Sequence, residues 1–288
     1  MAGPLVDTQW LAERLGDPNL RVADASWYLP QAARSARAEY DVAHIPGAVF
    51  FDIDHLSDAH TDLPHMLPTP DVFAEGMNSL GVGDADFVVL YDGAGIYSSP
   101  RAWWMLRAMG HAACAVLDGG FPKWQREGRA TKSSRATPRP SSFSARSKPE
   151  LIRDFSHMKA NLTSRRGMVL DARSPGRFRG EEAEPRPGVK PGHMPGSVNL
   201  YYADVLTEGG TMKSPEDLRR LFAASGIDLA KPVVTSCGSG VTAAILVLAL
   251  EVAGAKESAL YDGSWAEWGA RADAPIKTGG TPPRGPSQ

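Results

Sequence analysis

The chain repeats itself at an offset of about 145 residues, and no other feature restricts its fold as strongly. Ala43-His44-Ile45-Pro46-Gly47-Ala48 returns as Gly192-His193-Met194-Pro195-Gly196-Ser197. Val22-Ala23-Asp24-Ala25 returns as Val169-Leu170-Asp171-Ala172, and Asp118-Gly119-Gly120 with Trp124 returns as Asp262-Gly263-Ser264 with Trp268. Thr69-Pro70-Asp71 and Ser214-Pro215-Glu216 each read as a helix N-cap, a proline at the first helical position and an acid in the first turn. Matches in one order along 288 residues mean one domain present twice, in agreement with a soft prior of about 150 residues per domain.

Within each copy, short β-rich runs alternate with helical patterns. Phe87–Tyr91 and Pro232–Thr235 are strand candidates, while Arg101–Leu106 and Leu218–Phe222 read as helical. This alternation predicts an α/β fold in which each copy is a mainly parallel sheet flanked by helices. The polar, proline-bearing stretch after residue 128 reads as a linker. The expected organisation is a first domain over 1–128, a linker over 129–150, a second domain over 151–277 and a mobile tail over 278–288.

Cys237 is where this architecture points to chemistry. Pro232-Val233-Val234-Thr235-Ser236 runs as a strand into Cys237-Gly238-Ser239-Gly240, and Val241-Thr242-Ala243-Ala244 then starts a helix. Ligands of such sheets bind beyond the carboxyl ends of the strands. A glycine-rich turn opening a helix aims amides and the positive end of the dipole at an anion, which stabilises a thiolate. A buried inert cysteine is the bland alternative. The repeat sets Asp92 at the place of Cys237, so the first copy is expected to be catalytically silent.

Composition limits the partners. Formal net charge is -2, which gives no electrostatic case for nucleic acid or membrane. Only Cys114 and Cys237 are present, Cys114 in an apolar run that reads as core, so a reducing compartment is the simpler expectation. The N-terminus shows no secretory signal pattern, and the longest apolar run, Ala243–Leu250, is far short of the ~18 residues of a spanning helix; a cytoplasmic location is expected. Two cysteines in separate copies and scattered histidines lack metal-ligand spacing, so neither metal nor cofactor is expected. His44 and His193 occupy repeat-related positions and suggest a role in the turn.

Taken together, the duplication, the loop Cys237-Gly238-Ser239-Gly240-Val241-Thr242 and the arginine-rich run Gly176–Arg186 resemble the rhodanese superfamily of sulfurtransferases in its tandem two-domain form, over about Asp7 to Trp268. The loop is similar to that of members using 3-mercaptopyruvate; members using thiosulfate typically carry basic residues at its second and third positions. The resemblance implies that Arg177 and Arg186 hold the donor's carboxylate and carbonyl. It also implies that Gly238, Gly240, Val241 and Thr242 line the anion site, and that Asp54 and His65 pair with the loop hydroxyl of Ser239. Tyr97 matches a tyrosine near the substrate.

The implied reaction moves sulfur from 3-mercaptopyruvate through a Cys237 persulfide to cyanide or a thiol acceptor such as thioredoxin, releasing pyruvate. Arginine suits the task because its planar fork grips carboxylates bidentately. On residues alone, Arg177 and Arg186 also read as a solvated charge run offset by Glu181, Glu182 and Glu184, Ser239 as a self-bonded loop hydroxyl and His65 as an ordinary histidine. Three competing functions are a thiosulfate sulfurtransferase, a cysteine phosphatase and a non-enzymatic persulfide carrier or sensor. The phosphatase is disfavoured because Gly238–Thr242 lacks the arginine that phosphoryl transfer needs.

Overall fold

A computed structural model describes residues 3–134 and 136–280, which fall into two compact units. The first takes its described residues from Met1–Ala59, Leu67–Lys148 and Glu208–Met212, and the second from His60–Met66, Pro149–Thr207 and Lys213–Gln288. Each is α/β and built on a five-stranded, wholly parallel sheet flanked by helices.

In the first unit the strands are β1 (Leu5–Val6), β2 (Leu20–Asp24), β3 (Val49–Phe50), β4 (Phe87–Tyr91) and β5 (Cys114–Leu117), ordered β1-β5-β4-β2-β3. Its helices are α1 (Thr8–Ala12), α2 (Ala36–Val42), α3 (Pro70–Ser79), α4 (Ser99–Ala108) and α5 (Gly120–Arg126). The second unit repeats this plan with β6 (Ile152–Arg153), β7 (Met168–Asp171), β8 (Val198–Asn199), β9 (Val233–Ser236) and β10 (Ser258–Tyr261), ordered β6-β10-β9-β7-β8. Its helices are α6 (Phe155–Ser164), α7 (Pro175–Arg179), α8 (Pro215–Ala224), α9 (Val241–Ala253) and α10 (Ser264–Trp268). The central strands are apolar runs rather than alternating ones because a parallel sheet is covered on both faces. Val88–Tyr91 and Val233–Ser236 are accordingly buried throughout.

The repeated motifs do matching structural work. Thr69 and Ser214 cap α3 and α8, accepting the N–H of Val72 (3.5 Å) and Asp217 (3.1 Å). His44 stacks on Tyr40 and His193 on Phe178, with ring centroids 4.2 and 3.9 Å apart. Nδ1 of each lies 2.7 and 2.8 Å from the carbonyls of Tyr40 and Phe178. The backbone of each also forms an isolated antiparallel bridge to a later residue, Lys132 and Lys277. These histidines therefore staple the turn of each copy. Burial lowers the His193 pKa, in keeping with a structural ring.

The segments read as linker and tail both make contacts. The segment read as a linker is laid against the first unit. Lys132 bridges His44, Arg139 pairs with Asp86 (2.5 Å), and Phe143 is buried against Phe73 and His111. Its polar composition hid this, because the anchoring is done by backbone pairing and one aromatic. The first residues of the expected tail make contacts with the second unit. The Gly279 N–H donates to the Arg179 carbonyl (2.8 Å), and Thr278 packs beside Gly180. Residues 281–288 of that tail lie outside the described residues. Among the described residues, no helix is long and apolar enough to cross a membrane.

The first copy's loop wraps its own anion. Asp92 is fully buried, and its Oδ2 accepts the N–H groups of Tyr97, Ser98 and Ser99 at 2.9–3.0 Å and the Ser99 hydroxyl at 2.7 Å. Its Oδ1 accepts the Ala94 N–H at 2.9 Å. Removing the carboxylate strands several buried donors, each costing about 1–3 kcal/mol when unsatisfied. Asp92→Ala is therefore expected to destabilise the protein by at least about 3 kcal/mol, visible as an earlier urea transition. Asp92→Asn keeps an acceptor and is expected to cost less. A wild-type transition for Asp92→Ala contradicts this account.

Candidate active site

The site is built where β9 ends and α9 begins. Gly240 adopts the left-handed conformation (φ 81°) as the cap of α9, a geometry that glycine reaches without the strain of a Cβ. The turn returns the chain so that the Gly240 N–H donates to Cys237 Sγ at 3.1 Å. A thiolate fills that acceptor role better than a thiol, whose sulfur is a weak acceptor. Cys114 makes an instructive contrast. Both cysteines are buried and neither forms a disulfide. Cys114 Sγ instead faces the carbonyls of His111 (3.4 Å) and Trp103 (3.9 Å), which suits a neutral S–H donor.

The next helix sets the direction of the loop peptides. At the start of α10, the Trp265 N–H donates to the Cys237 carbonyl (2.9 Å) and the Ala266 N–H to the Gly238 carbonyl (2.8 Å). In a planar trans peptide the N–H points opposite to the carbonyl. With both carbonyls turned toward α10, the N–H groups of Gly238 and Ser239 turn away from it. Ser264 completes the hold, its Oγ accepting the Cys237 N–H (3.2 Å) and donating to the Tyr261 carbonyl (2.9 Å). Ser264 sits at φ 48°, where its repeat partner Gly120 sits at φ 54°. A serine in the left-handed region carries strain that glycine avoids. The second copy accepts that strain and gains a hydroxyl beneath its cysteine.

Ser239 is buried, Val241 is buried at the first turn of α9, and Thr242 is half-buried one residue on. Arg177 reaches the loop from α7. Ser174 caps that helix, accepting the Arg177 N–H (3.4 Å), Pro175 begins it, and Gly180 ends it at φ 77°. A Cβ added at Gly238 would lie 3.0 Å from Arg177 Nη2, so the bare second position of the loop makes room for the guanidinium. The structure thus brings together Cys237, Gly238, Ser239, Gly240, Val241, Thr242 and Arg177.

The remaining predicted residues are placed as follows. Arg186 is half-buried on the irregular segment after α7. His65 is buried with φ 60°, in the short segment grouped with the second unit. Asp54 belongs to the first unit, where its exposed carboxylate accepts the Trp27 indole N–H at 3.0 Å. Tyr97 also belongs to the first unit and gives its backbone N–H to Asp92.

Sequence reasoning missed the ionic frame behind the loop. Asp171, at the end of β7, binds the fully buried Arg173 through Nε (3.1 Å) and Nη2 (2.7 Å). Glu184 bridges Arg173 Nη1 (2.9 Å) and Arg177 Nη2 (2.5 Å), with its side chain only 3% exposed. Burial works to lower the Arg173 pKa, but Asp171 and Glu184 more than offset it and raise it. The repeat held a signal, since Ser26 stands where Arg173 does. Without an arginine, burial pushes the matching Asp24 up to about 6.

Comparison with known proteins follows the same lines. The rhodanese-like domain family matches residues 7–127 and again 154–271. The chain is 48% identical to human 3-mercaptopyruvate sulfurtransferase over 93% of this chain and 92% of that protein. It is 44% identical to bovine thiosulfate sulfurtransferase over 93% and 92%. The crystal structure of the 3-mercaptopyruvate sulfotransferase SseA from Escherichia coli superposes with a TM-score of 0.84 at 37% identity, covering 92% of this chain and 99% of that one. Two family matches on two sheets of identical strand order, with near full-length relatives, establish that the chain belongs to the rhodanese family and carries its domain twice.

Proposed function

We propose that this chain is a sulfurtransferase that takes sulfur from 3-mercaptopyruvate onto Cys237 and passes it to a thiol, of the kind thioredoxin carries, or to cyanide. The carrying observation is the pairing of an amide-seated sulfur with an uncharged loop, Gly238 and Ser239, beside the Arg177 guanidinium. Identity to relatives does not choose the donor, because the human and bovine proteins are similarly close and differ in the donor that names them. Charge placement supports 3-mercaptopyruvate. Thiosulfate is a small dianion best met by cations in the loop itself, whereas a keto acid has one carboxylate, set back from its sulfur.

In this reading the Cys237 thiolate attacks the sulfur of 3-mercaptopyruvate. The new S–S bond forms as the S–C3 bond breaks, and the departing electron pair becomes the enolate of pyruvate, which takes a proton at C3. The loop amides stabilise the anionic sulfur before and after transfer. An acceptor thiolate then attacks the outer sulfur and releases the Cys237 thiolate. The division into two transfers is ordinary covalent catalysis. Arg177 and Arg186 hold the carboxylate and carbonyl, and their charge favours the enolate as it forms. Ser239 supplies the proton path to the leaving enolate, with His65 as its proton partner. This reading assigns no step to Asp54 or Tyr97. The reduced thiol that this cycle needs fits a reducing compartment such as the cytoplasm.

The donor assignment is tested by comparing kcat/KM for 3-mercaptopyruvate and thiosulfate with cyanide as common acceptor. The expected result is a clear preference for 3-mercaptopyruvate, abolished on both donors by Cys237→Ser. Equal or higher efficiency on thiosulfate overturns the donor, and turnover by Cys237→Ser overturns the nucleophile. Ser239→Ala is expected to slow persulfide formation from 3-mercaptopyruvate by about 10–100-fold, within the range of general acid–base contributions, and to slow persulfide discharge less. Single-turnover measurements separate the two steps, and equal slowing of both rejects the Ser239 assignment.

A further inference from the structure

We propose that Glu184 is the positioning residue of the donor site: it clamps the side-on edge of Arg177 and so turns the end-on fork, Nη1 and Nη2, toward the loop at Gly238. The inference rests on the reading of Arg177 as the contact for the donor's carboxylate.

A guanidinium presents five N–H groups in a rigid plane. Glu184 takes the side-on pair, Arg177 Nε to Oε1 at 3.2 Å and Nη2 to Oε2 at 2.5 Å. Among the described residues, no other acceptor meets the Arg177 guanidinium. The Nη1 hydrogens and the second Nη2 hydrogen therefore remain, and this last with one from Nη1 forms the end-on fork that binds a carboxylate bidentately. That fork faces the loop, since a Cβ at Gly238 would lie 3.0 Å from Nη2 and 3.7 Å from Nη1.

Glu184 can orient Arg177 because it is itself held. Arg173 donates to it at 2.9 Å, is bound in turn by Asp171 and by the Gly192 carbonyl (2.8 Å), and stacks over Trp265 at 4.3 Å. Trp265 is the residue whose N–H fixes the Cys237 carbonyl. One frame thus sets both the sulfur's loop and the arginine beside it. An unanchored arginine would lose rotamer freedom only when donor binds, so ordering it beforehand strengthens binding.

The first copy holds the same device in closed form. Arg34 is clamped side-on by Glu39 (2.8 and 2.6 Å) next to Gly93. There, however, Nη2 also donates to the Gly93 carbonyl (3.2 Å), and the guanidinium lies over Tyr28 at 3.9 Å. Glu39 is 42% exposed, where an ion pair fixes little, against 3% for Glu184. Charge in the second copy's frame also cancels, two carboxylates against two guanidinia. A bound donor carboxylate then calls for a further cation, the part assigned above to Arg186.

The test is a double-mutant cycle on KM and kcat for 3-mercaptopyruvate, with Glu184→Gln, Arg177→Ala and the double variant. Gln keeps the size of Glu184 but loses its charge and one acceptor. Glu184→Gln is expected to raise KM by about 5–30-fold with kcat changed far less, and to add nothing in the Arg177→Ala background. Glu184→Asp, which draws the carboxylate back from the guanidinium while keeping charge beside Arg173, is expected to raise KM as well. If Arg177→Ala raises KM but Glu184→Gln does not, or if the two effects multiply in full, the positioning role is overturned and the donor reading stands. If Arg177→Ala leaves KM unchanged, the reading of Arg177 fails and the inference fails with it. If both Glu184 variants fail to fold, Glu184 is a strut for Arg173 and the assignment is likewise overturned.

Discussion

Two hydrogen bonds organise the site: those from the Trp265 and Ala266 amides in the first turn of α10 to the carbonyls of Cys237 and Gly238. Peptide planarity converts them into a statement about the opposite side of the loop. Carbonyls drawn toward one helix leave amides facing away from it, and α9 adds the positive end of its own dipole. Amides turned to one side form an anion cradle without any charged side chain from the loop, whose second and third positions are Gly238 and Ser239.

Duplication lets one chain display two uses of that geometry. The first copy fills its nest permanently with the Asp92 carboxylate, held by amides from the longer loop that leads into α4. The second copy puts a cysteine there, and the Gly240 N–H meets its sulfur. Corresponding substitutions surround each centre. Gly120 gives way to Ser264, which adds a hydroxyl under the cysteine, and Ser26, which hydrogen-bonds the buried Asp24, gives way to Arg173, which pairs with Asp171 in an ionic frame. Both sets of residues are carried on the same sheet order.

Most of the architecture was legible in the sequence because duplication checks each assignment against its twin. Strand β4 is Phe87–Tyr91 as expected, and the caps at Thr69 and Ser214 obey a local hydrogen-bond rule. The cysteine and its glycines were legible for a similar reason, since strand, turn and helix start are local patterns. What escaped was non-local. Arg173, Glu184 and Ser264 act through partners far away in the chain, and their residue types are equally ordinary on a solvated surface. The glutamates near Arg177 read as a diluted charge run. In fact Glu181 pairs with Arg179 at the surface, whereas Glu184 is buried between two arginines. The docking of the 129–148 segment was hidden likewise, because backbone pairing at Lys132 carries no side-chain signature.

The account places one reactive sulfur in a nest of amides and an inert one in a core. Its most direct test is mass spectrometry of the intact protein and its peptides after brief exposure to 3-mercaptopyruvate without acceptor. One added sulfur atom on the peptide bearing Cys237, none on that bearing Cys114, and loss of the added sulfur when a thiol is supplied are the predicted results. An unmodified Cys237 under conditions of full turnover, or added sulfur divided between the two cysteines, would contradict it.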